Sequence, residues 1–255
     1  MQITENTVAI VTGGASGLGG AVVQALADAG AKVGIFDLND EAGQAMAQKV
    51  GGSFARVDVS DPASVAEGFK TLRAAHGQEH ILVNCAGIAP ASKTQSKGEP
   101  HDPGIFAKTI GVNLIGTFNC ASQAAAGMSQ TDPLTEDGER GVIVNTASIA
   151  AFDGQIGQLA YAASKGGVVG MTLPMARDLM RDGIRVMSIA PGIFKTPMVA
   201  GLPQEVQDSL GAQVPFPSRL GDPAEYAAMV CHIVENSMLN GEVIRLDGAI
   251  RMAPR

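Results

Sequence analysis

Short apolar runs and longer mixed runs alternate along this chain from one end to the other. The apolar runs are Val8–Val11, Val33–Phe36, Phe54–Val57, Ile81–Val83, Val142–Val144, Val186–Ile189 and Val243–Leu246. They are brief and rich in Val and Ile, the pattern of strands covered on both faces in a parallel sheet. The intervening stretches read as helices with recognisable ends. Gly30 follows an Ala-rich helix that ends near Ala29, and Gly183 follows a second long helix. Asp61-Pro62 and Asp222-Pro223 each place a capping aspartate before a proline at the first helical position. Sustained strand–helix alternation predicts one doubly wound α/β domain over residues 1–255, a seven-stranded parallel sheet with helices on both faces. There is no internal repeat and no linker. Three segments are expected to be loops: Pro90–Pro103, Ser129–Gly141 and Phe194–Pro217. The last carries four prolines and the apolar side chains Phe194, Met198, Val199, Leu202, Val214 and Phe216. It is expected to form a hinged lid, residues 194–217, over a substrate.

Composition narrows the function classes. The chain has 255 residues, 45% hydrophobic and 17% charged, with no Trp and only 4% aromatics, so its core must be aliphatic. Net charge is −7 with no basic run, which speaks against a nucleic-acid partner. Cys85, Cys120 and Cys231 are widely spaced and odd in number, fitting a reducing compartment rather than a disulfide framework. His76, His80, His101 and His232 show no metal-ligand spacing, so no metal is expected. No apolar run is long enough to span a membrane. The first ten residues carry no basic or apolar targeting pattern, so a bacterial-type cytoplasm is expected.

The chemistry gathers at the strand ends. The first strand runs into T-G-G-A-S-G-L-G, with Gly13, Gly17 and Gly19 placed for a tight turn and close backbone approach to a pyrophosphate. Asp37 ends the second strand, where a carboxylate can bind both ribose hydroxyls of NAD and repel the 2′-phosphate of NADP. Asp58, in Val57-Asp58-Val59, can hold an adenine edge. Asn84–Gly87, N-C-A-G, is small enough for a cofactor to lie on the backbone. Ser148 ends the fifth strand and can donate to a substrate oxygen. Pro191-Gly192 ends the sixth and can wall off a nicotinamide. Tyr161 and Lys165 sit one helical turn apart in Y-A-A-S-K, on one face. An ammonium there should favour the phenolate and equip the pair for proton exchange with an alcohol. Alone, such a pair is common on helix surfaces.

Taken in order, T-G-G-A-S-G-L-G, N-C-A-G, Asn113, Ser148, Y-A-A-S-K and Pro191-Gly192 resemble the short-chain dehydrogenase/reductase family over essentially the full chain, which implies a Rossmann fold. The resemblance implies Tyr161 as acid/base, Lys165 as its electrostatic partner and ribose ligand, and Ser148 as the donor that orients substrate. It implies Asn113 in a water relay to Lys165. It also implies Ser16, Leu18, Asp37, Asp58, Val59, Cys85, Ala86, Gly87, Phe194 and Thr196 beside the Gly loop and Pro191-Gly192 as NAD contacts. The stretches around Asn145–Pro174, Gln213–Tyr226 and Asn240–Met252 resemble the branch of that family that oxidises 3-hydroxyacyl-CoA, also described as 17β-hydroxysteroid dehydrogenases. That implies NAD-linked formation of a 3-ketoacyl-CoA by a homotetramer. Lys93 and Lys97, in the polar loop, read either as solvated lysines or as partners for CoA phosphates. A hydroxysteroid or other secondary-alcohol substrate stays open. Asp37 speaks against an NADPH-linked 3-ketoacyl-carrier-protein reductase, and the intact Ser148, Tyr161 and Lys165 against a non-catalytic nucleotide-sensing scaffold.

Overall fold

A computed structural model describes residues 1–254, the side chain of Met198 excepted. Its main sheet contains β1 (Val8–Thr12), β2 (Lys32–Asp37), β3 (Ser53–Arg56), β4 (Ile81–Asn84), β7 (Gly141–Thr146), β8 (Ile184–Pro191) and β9 (Val243–Leu246). The strand order is β3-β2-β1-β4-β7-β8-β9, every neighbouring pair parallel. All seven apolar runs became strands. β1, β4, β7 and β8 are buried along their length and β2 is buried between an exposed Lys32 and a half-buried Asp37, whereas the edge strands β3 and β9 are half-buried or, at Arg56, exposed.

The pleat divides the core. Ala9 and Val11, Ile81 and Val83, Val142 and Val144 face one layer, while Ile10, Leu82 and Ile143 face the other. The first layer is covered by α1 (Gly17–Asp28) and α10 (Pro223–Glu235) through Val22, Val23, Leu26, Tyr226, Val230 and Ile233. The second is covered by α3 (Pro62–His76) and α5 (Gly116–Met128) through Val65, Phe69, Leu72, Cys120, Ala121 and Met128. Phe36 and Phe69 meet edge to face at 5.2 Å, and each such buried side chain contributes roughly 1.5–3 kcal/mol over exposure.

Helix ends follow the expected chemistry. Asp61 accepts from the Ala63 N–H, and Asp222 and Glu225 form a reciprocal capping box. Gly30 and Gly183 take positive φ after their helices. Two loop expectations are corrected. Residues 90–103 contain the hairpin β5 (Gln95–Ser96) and β6 (Glu99–Pro100). Residues 194–217 contain α8 (Pro197–Ala200) and α9 (Gln204–Ala212). Gln207 ties these two helices together by donating to the carbonyls of Ala200 and Leu202. The chain passes from β3 across to β4 on the other side of β1, and this reversal opens a crevice at the strand C-termini.

Candidate active site at the strand ends

The Gly loop is built against the N-C-A-G turn. Gly13 and Gly17 adopt φ of +65° and +56°, which other residues reach only with strain. A Cβ on Gly13 would stand 2.8 Å from the Ala86 nitrogen, and one on Gly19 would overlap the Gly13 carbonyl. Thr12 Oγ1 accepts from the N–H groups of Cys85 and Ala86, both at 3.1 Å, pinning that turn. Ser16 precedes α1 with an extended backbone and makes no side-chain cap, and the first turn has no acidic residue. The leading N–H groups of α1, beside Leu18, are therefore available to an anion.

Asp37 does two things here. Its carboxylate accepts from the Ala15 and Asn39 N–H groups, both at 3.1 Å, so it braces the Gly loop while standing where a ribose would lie. Asp58 accepts from the Ser60 N–H and hydroxyl through one oxygen, at 2.9 and 2.6 Å. Its other oxygen has no protein partner among the described residues. Val59 is buried, and its carbonyl accepts from Asn119 at 3.0 Å. At the far wall, the Gly192 N–H reaches the Leu246 carbonyl, and a Cβ on Gly192 would meet the Asp247 backbone. Phe194 is buried beside Pro191-Gly192. Thr196 and Pro197 lean over the Gly loop, so a Cβ on Gly17 would lie 3.4 Å from Pro197 Cδ. The glycine cradle, the open helix terminus and the Asp37 carboxylate fit a dinucleotide with free ribose hydroxyls.

Tyr161 and Lys165 project from α7 (Leu159–Asp178) towards Ser148, two residues past the end of β7. Lys165 is 4% exposed, and its Nζ donates to the Thr146 carbonyl at 2.7 Å. Burial pushes its pKa down to about 8. Nζ lies 5.8 Å from the Tyr161 ring centroid. Burial pushes the Tyr161 phenol above its usual value, opposed by the Ser148 hydroxyl. The expected depression by Lys165 is thus not realised in this geometry: the ammonium is directed at Thr146, and desolvation dominates. Ser148 Oγ accepts from the Ala150 N–H at 3.1 Å, so its own proton is the one directed towards Tyr161.

Asn113 lies in a π-helical turn, Gly111–Ile115, between α4 (Pro103–Ile110) and α5. Both of its amide donors and one acceptor site are taken. Oδ1 accepts from the Ile88 N–H, and Nδ2 donates to the Ile88 carbonyl and to Ser164 Oγ. Ser164 in turn donates to the Tyr161 carbonyl at 2.7 Å. A Cβ on Gly87 would lie 3.2 Å from Asn113 Oδ1 and 3.7 Å from Lys165 Nζ, so the missing side chain leaves a gap between those two groups. Lys93 and Lys97 are exposed and stand apart on the hairpin arm. Ser92 roots that arm beside Gln158, just ahead of α7.

Thr12, Ser164 and Tyr226 escaped the sequence reading as site-supporting residues. Thr12 and Ser164 lie inside the quoted motifs and could have been found there. Tyr226 closes the stretch Gln213–Tyr226, but it sits in an ordinary apolar helix pattern that marks no supporting role. Together the site offers a neutral donor, a half-buried phenol and a buried amine facing one crevice, the set needed to move a proton to or from an alcohol oxygen.

Comparison with known proteins agrees with this geometry. Residues 7–207 match the family model for short chain dehydrogenase. The chain is 55% identical to 3-hydroxyacyl-CoA dehydrogenase type-2 of Bos taurus and 54% identical to that of Homo sapiens, covering 97% of this chain and 96% of each relative. A crystal structure of 3-hydroxyacyl-CoA dehydrogenase type-2 from Mycobacterium avium superposes with a TM-score of 0.94 at 44% identity, over 98% of both chains. The chain is an oxidoreductase and belongs to the short-chain dehydrogenase family.

Proposed function

We propose that this oxidoreductase interconverts 3-hydroxyacyl-CoA and 3-ketoacyl-CoA thioesters with NAD. The observation that carries the chemistry is the convergence of Ser148, Tyr161 and Lys165 on one crevice. The substrate class follows the likeness to the 3-hydroxyacyl-CoA dehydrogenases. NAD is favoured over NADP by the Asp37 carboxylate, which would face a 2′-phosphate in a partly dry site.

Gly13, Ser16, Gly17, Leu18 and Gly19 would hold the pyrophosphate, Asp37 the adenosine ribose, and Asp58 and Val59 the adenine. Cys85, Ala86, Gly87, Pro191, Gly192, Phe194 and Thr196 would line the nicotinamide half, with Tyr161 and Lys165 on its ribose. When bound, NAD supplies the acceptor for the hydride that leaves C3. The protein supplies the rest. Ser148 would donate a hydrogen bond to the C3 oxygen and orient it, keeping its own proton. Tyr161, as phenolate, takes the hydroxyl proton as the C3–O bond becomes a carbonyl. Lys165 favours the phenolate once its Nζ faces Tyr161, and Asn113 with the gap at Gly87 gives room for a water that returns the proton to solvent. Lys93 and Lys97 lie on the arm beside α7, where CoA phosphates would pass.

The functional unit is proposed to be a homotetramer. The test of the activity is direct. Purified protein with NAD and 3-hydroxybutyryl-CoA should produce NADH, read at its absorbance band, with NADP far less effective. No turnover of the thioester alongside turnover of a 17β-hydroxysteroid would replace this substrate class with the steroid one.

A further inference from the structure

Tyr226 is the largest side chain with essentially no exposure, and it sits on α10 in an otherwise apolar layer. Phe in its place would pack equally well, so its hydroxyl needs a reason, since a buried hydroxyl without partners is costly. The hydroxyl lies 2.7 Å from Thr146 Oγ1 and receives Cys85 Sγ at 3.9 Å, while Thr146 Oγ1 donates to Cys85 Sγ at 3.5 Å. The three groups close a ring. With Thr146 giving its proton to sulfur and Cys85 giving its proton to Tyr226, the phenol donates to Thr146. Burial holds the phenol neutral, as this role requires. The ring edge of Tyr226 also meets Phe194, with centroids 6.4 Å apart.

These contacts fall on three strand ends that carry the site. Cys85 opens the N-C-A-G turn. Thr146 precedes Ser148 by two residues and lends its carbonyl to Lys165. Phe194 follows Pro191-Gly192. We infer that Tyr226 is a positioning residue for the dehydrogenase reaction: through its hydroxyl it fixes Thr146, and with it the carbonyl that sets Lys165, against the Cys85 turn. It touches no reacting atom. The inference rests on the roles proposed above for Lys165 and Ser148.

A double-mutant cycle tests it. Tyr226→Phe and Thr146→Val each remove one hydroxyl and keep the shape. Each is expected to slow single-turnover hydride transfer roughly tenfold, and the pair together no more than about tenfold, because the two hydroxyls act as one unit. Thr146→Ser should recover most of the rate lost in Thr146→Val. NADH affinity, followed by fluorescence without any substrate, should fall several-fold in both single variants, since Lys165 also serves the ribose. Variants that melt earlier but keep wild-type rate and NADH affinity would show a merely structural hydroxyl and overturn the inference. So would a pair whose losses multiply to about a hundredfold. If Tyr226→Phe fails to fold, the Thr146 series decides. If the wild type does not turn over the thioester, the substrate class fails separately, and the NADH arm still decides on Tyr226.

Discussion

A single hydroxyl, carboxylate or ammonium carries most of the proposed chemistry, so residue-level substitutions probe it most sharply. Tyr161→Phe keeps the ring and removes only the phenol oxygen. It should lower kcat about 10²–10⁴-fold while NADH affinity changes less than about twofold. Near-normal turnover would end the acid/base assignment. Asp37 is less simple than its position alone indicates, because it also accepts the Ala15 N–H. Asp37→Ala should therefore relax discrimination against NADP and also lower kcat/KM with NAD by about tenfold. Asp37→Asn keeps an acceptor, so it should relax discrimination with a smaller loss towards NAD. Indifference of the wild type to the 2′-phosphate would contradict both. Lys165 adds a pH signature. Its folded value of about 8 lies below the unfolded value of ~10.4. Below pH 8 the folded state buries a charged amine. Between pH 8 and 10.4 the unfolded state binds more protons, so this contribution to stability rises with pH and is lost again as pH falls through 8. Lys165→Met has no proton to release, so the stability difference between wild type and variant should change across that window in urea titrations. A difference independent of pH would mean that the amine is not desolvated.

The segment 194–217 shows how far an element can be read from its letters. Pro197, Pro203, Pro215 and Pro217 suggested a hinged loop, yet α8 and α9 form there. Two of the prolines sit at or just before a helix start, where a missing N–H costs little, so a sequence of breakers also suits two short helices. The apolar set divides as well. Phe194 and Val214 are buried anchors, whereas Leu202 is 40% and Phe216 82% exposed, and the side chain of Met198 lies outside the described ones. If the segment closes over an acyl chain, hydrogen exchange on adding NADH and acetoacetyl-CoA should slow across residues 197–212 and stay unchanged at Phe194 and Val214. Uniform protection with and without ligands would mean a preformed pocket. The seven strands were legible because short runs rich in Val and Ile suit the strands of a parallel sheet, even where Arg56, Ser188 and Arg245 interrupt the apolar pattern. The two-residue strands of the hairpin and the π turn around Asn113 were not, since no hydrophobic period marks them. The motif residues were legible for their chemistry, but the ring of Cys85, Thr146 and Tyr226 depends on α10 meeting two strand ends far away in sequence.

At the scale of the whole molecule, one helical face is left uncovered by the chain itself. On α7, Gly166 and Gly170 lie one turn apart, and a Cβ on either would meet nothing within 4 Å. Leu173, one turn further along, is 43% exposed. Ile115, at the end of the π turn, and Phe118, in the first turn of α5, are 46% and 51% exposed. Glycine inside a helix costs about 1 kcal/mol relative to alanine, and nothing within the chain repays that cost here. A second helix approaching closely would, because bare glycines let backbones come together and apolar neighbours gain burial. This is the face through which the proposed homotetramer is expected to assemble. The two states of association make opposite demands on Gly170. In an isolated chain, Gly170→Ala relieves the helix and should raise Tm. In an assembly it inserts a methyl group into a packed seam and should lower Tm. Phe118→Asp should leave the fold intact by circular dichroism but convert the native particle to smaller species by light scattering. A Gly170→Ala variant that is more stable than wild type and unchanged in mass would place the assembly surface elsewhere on the molecule.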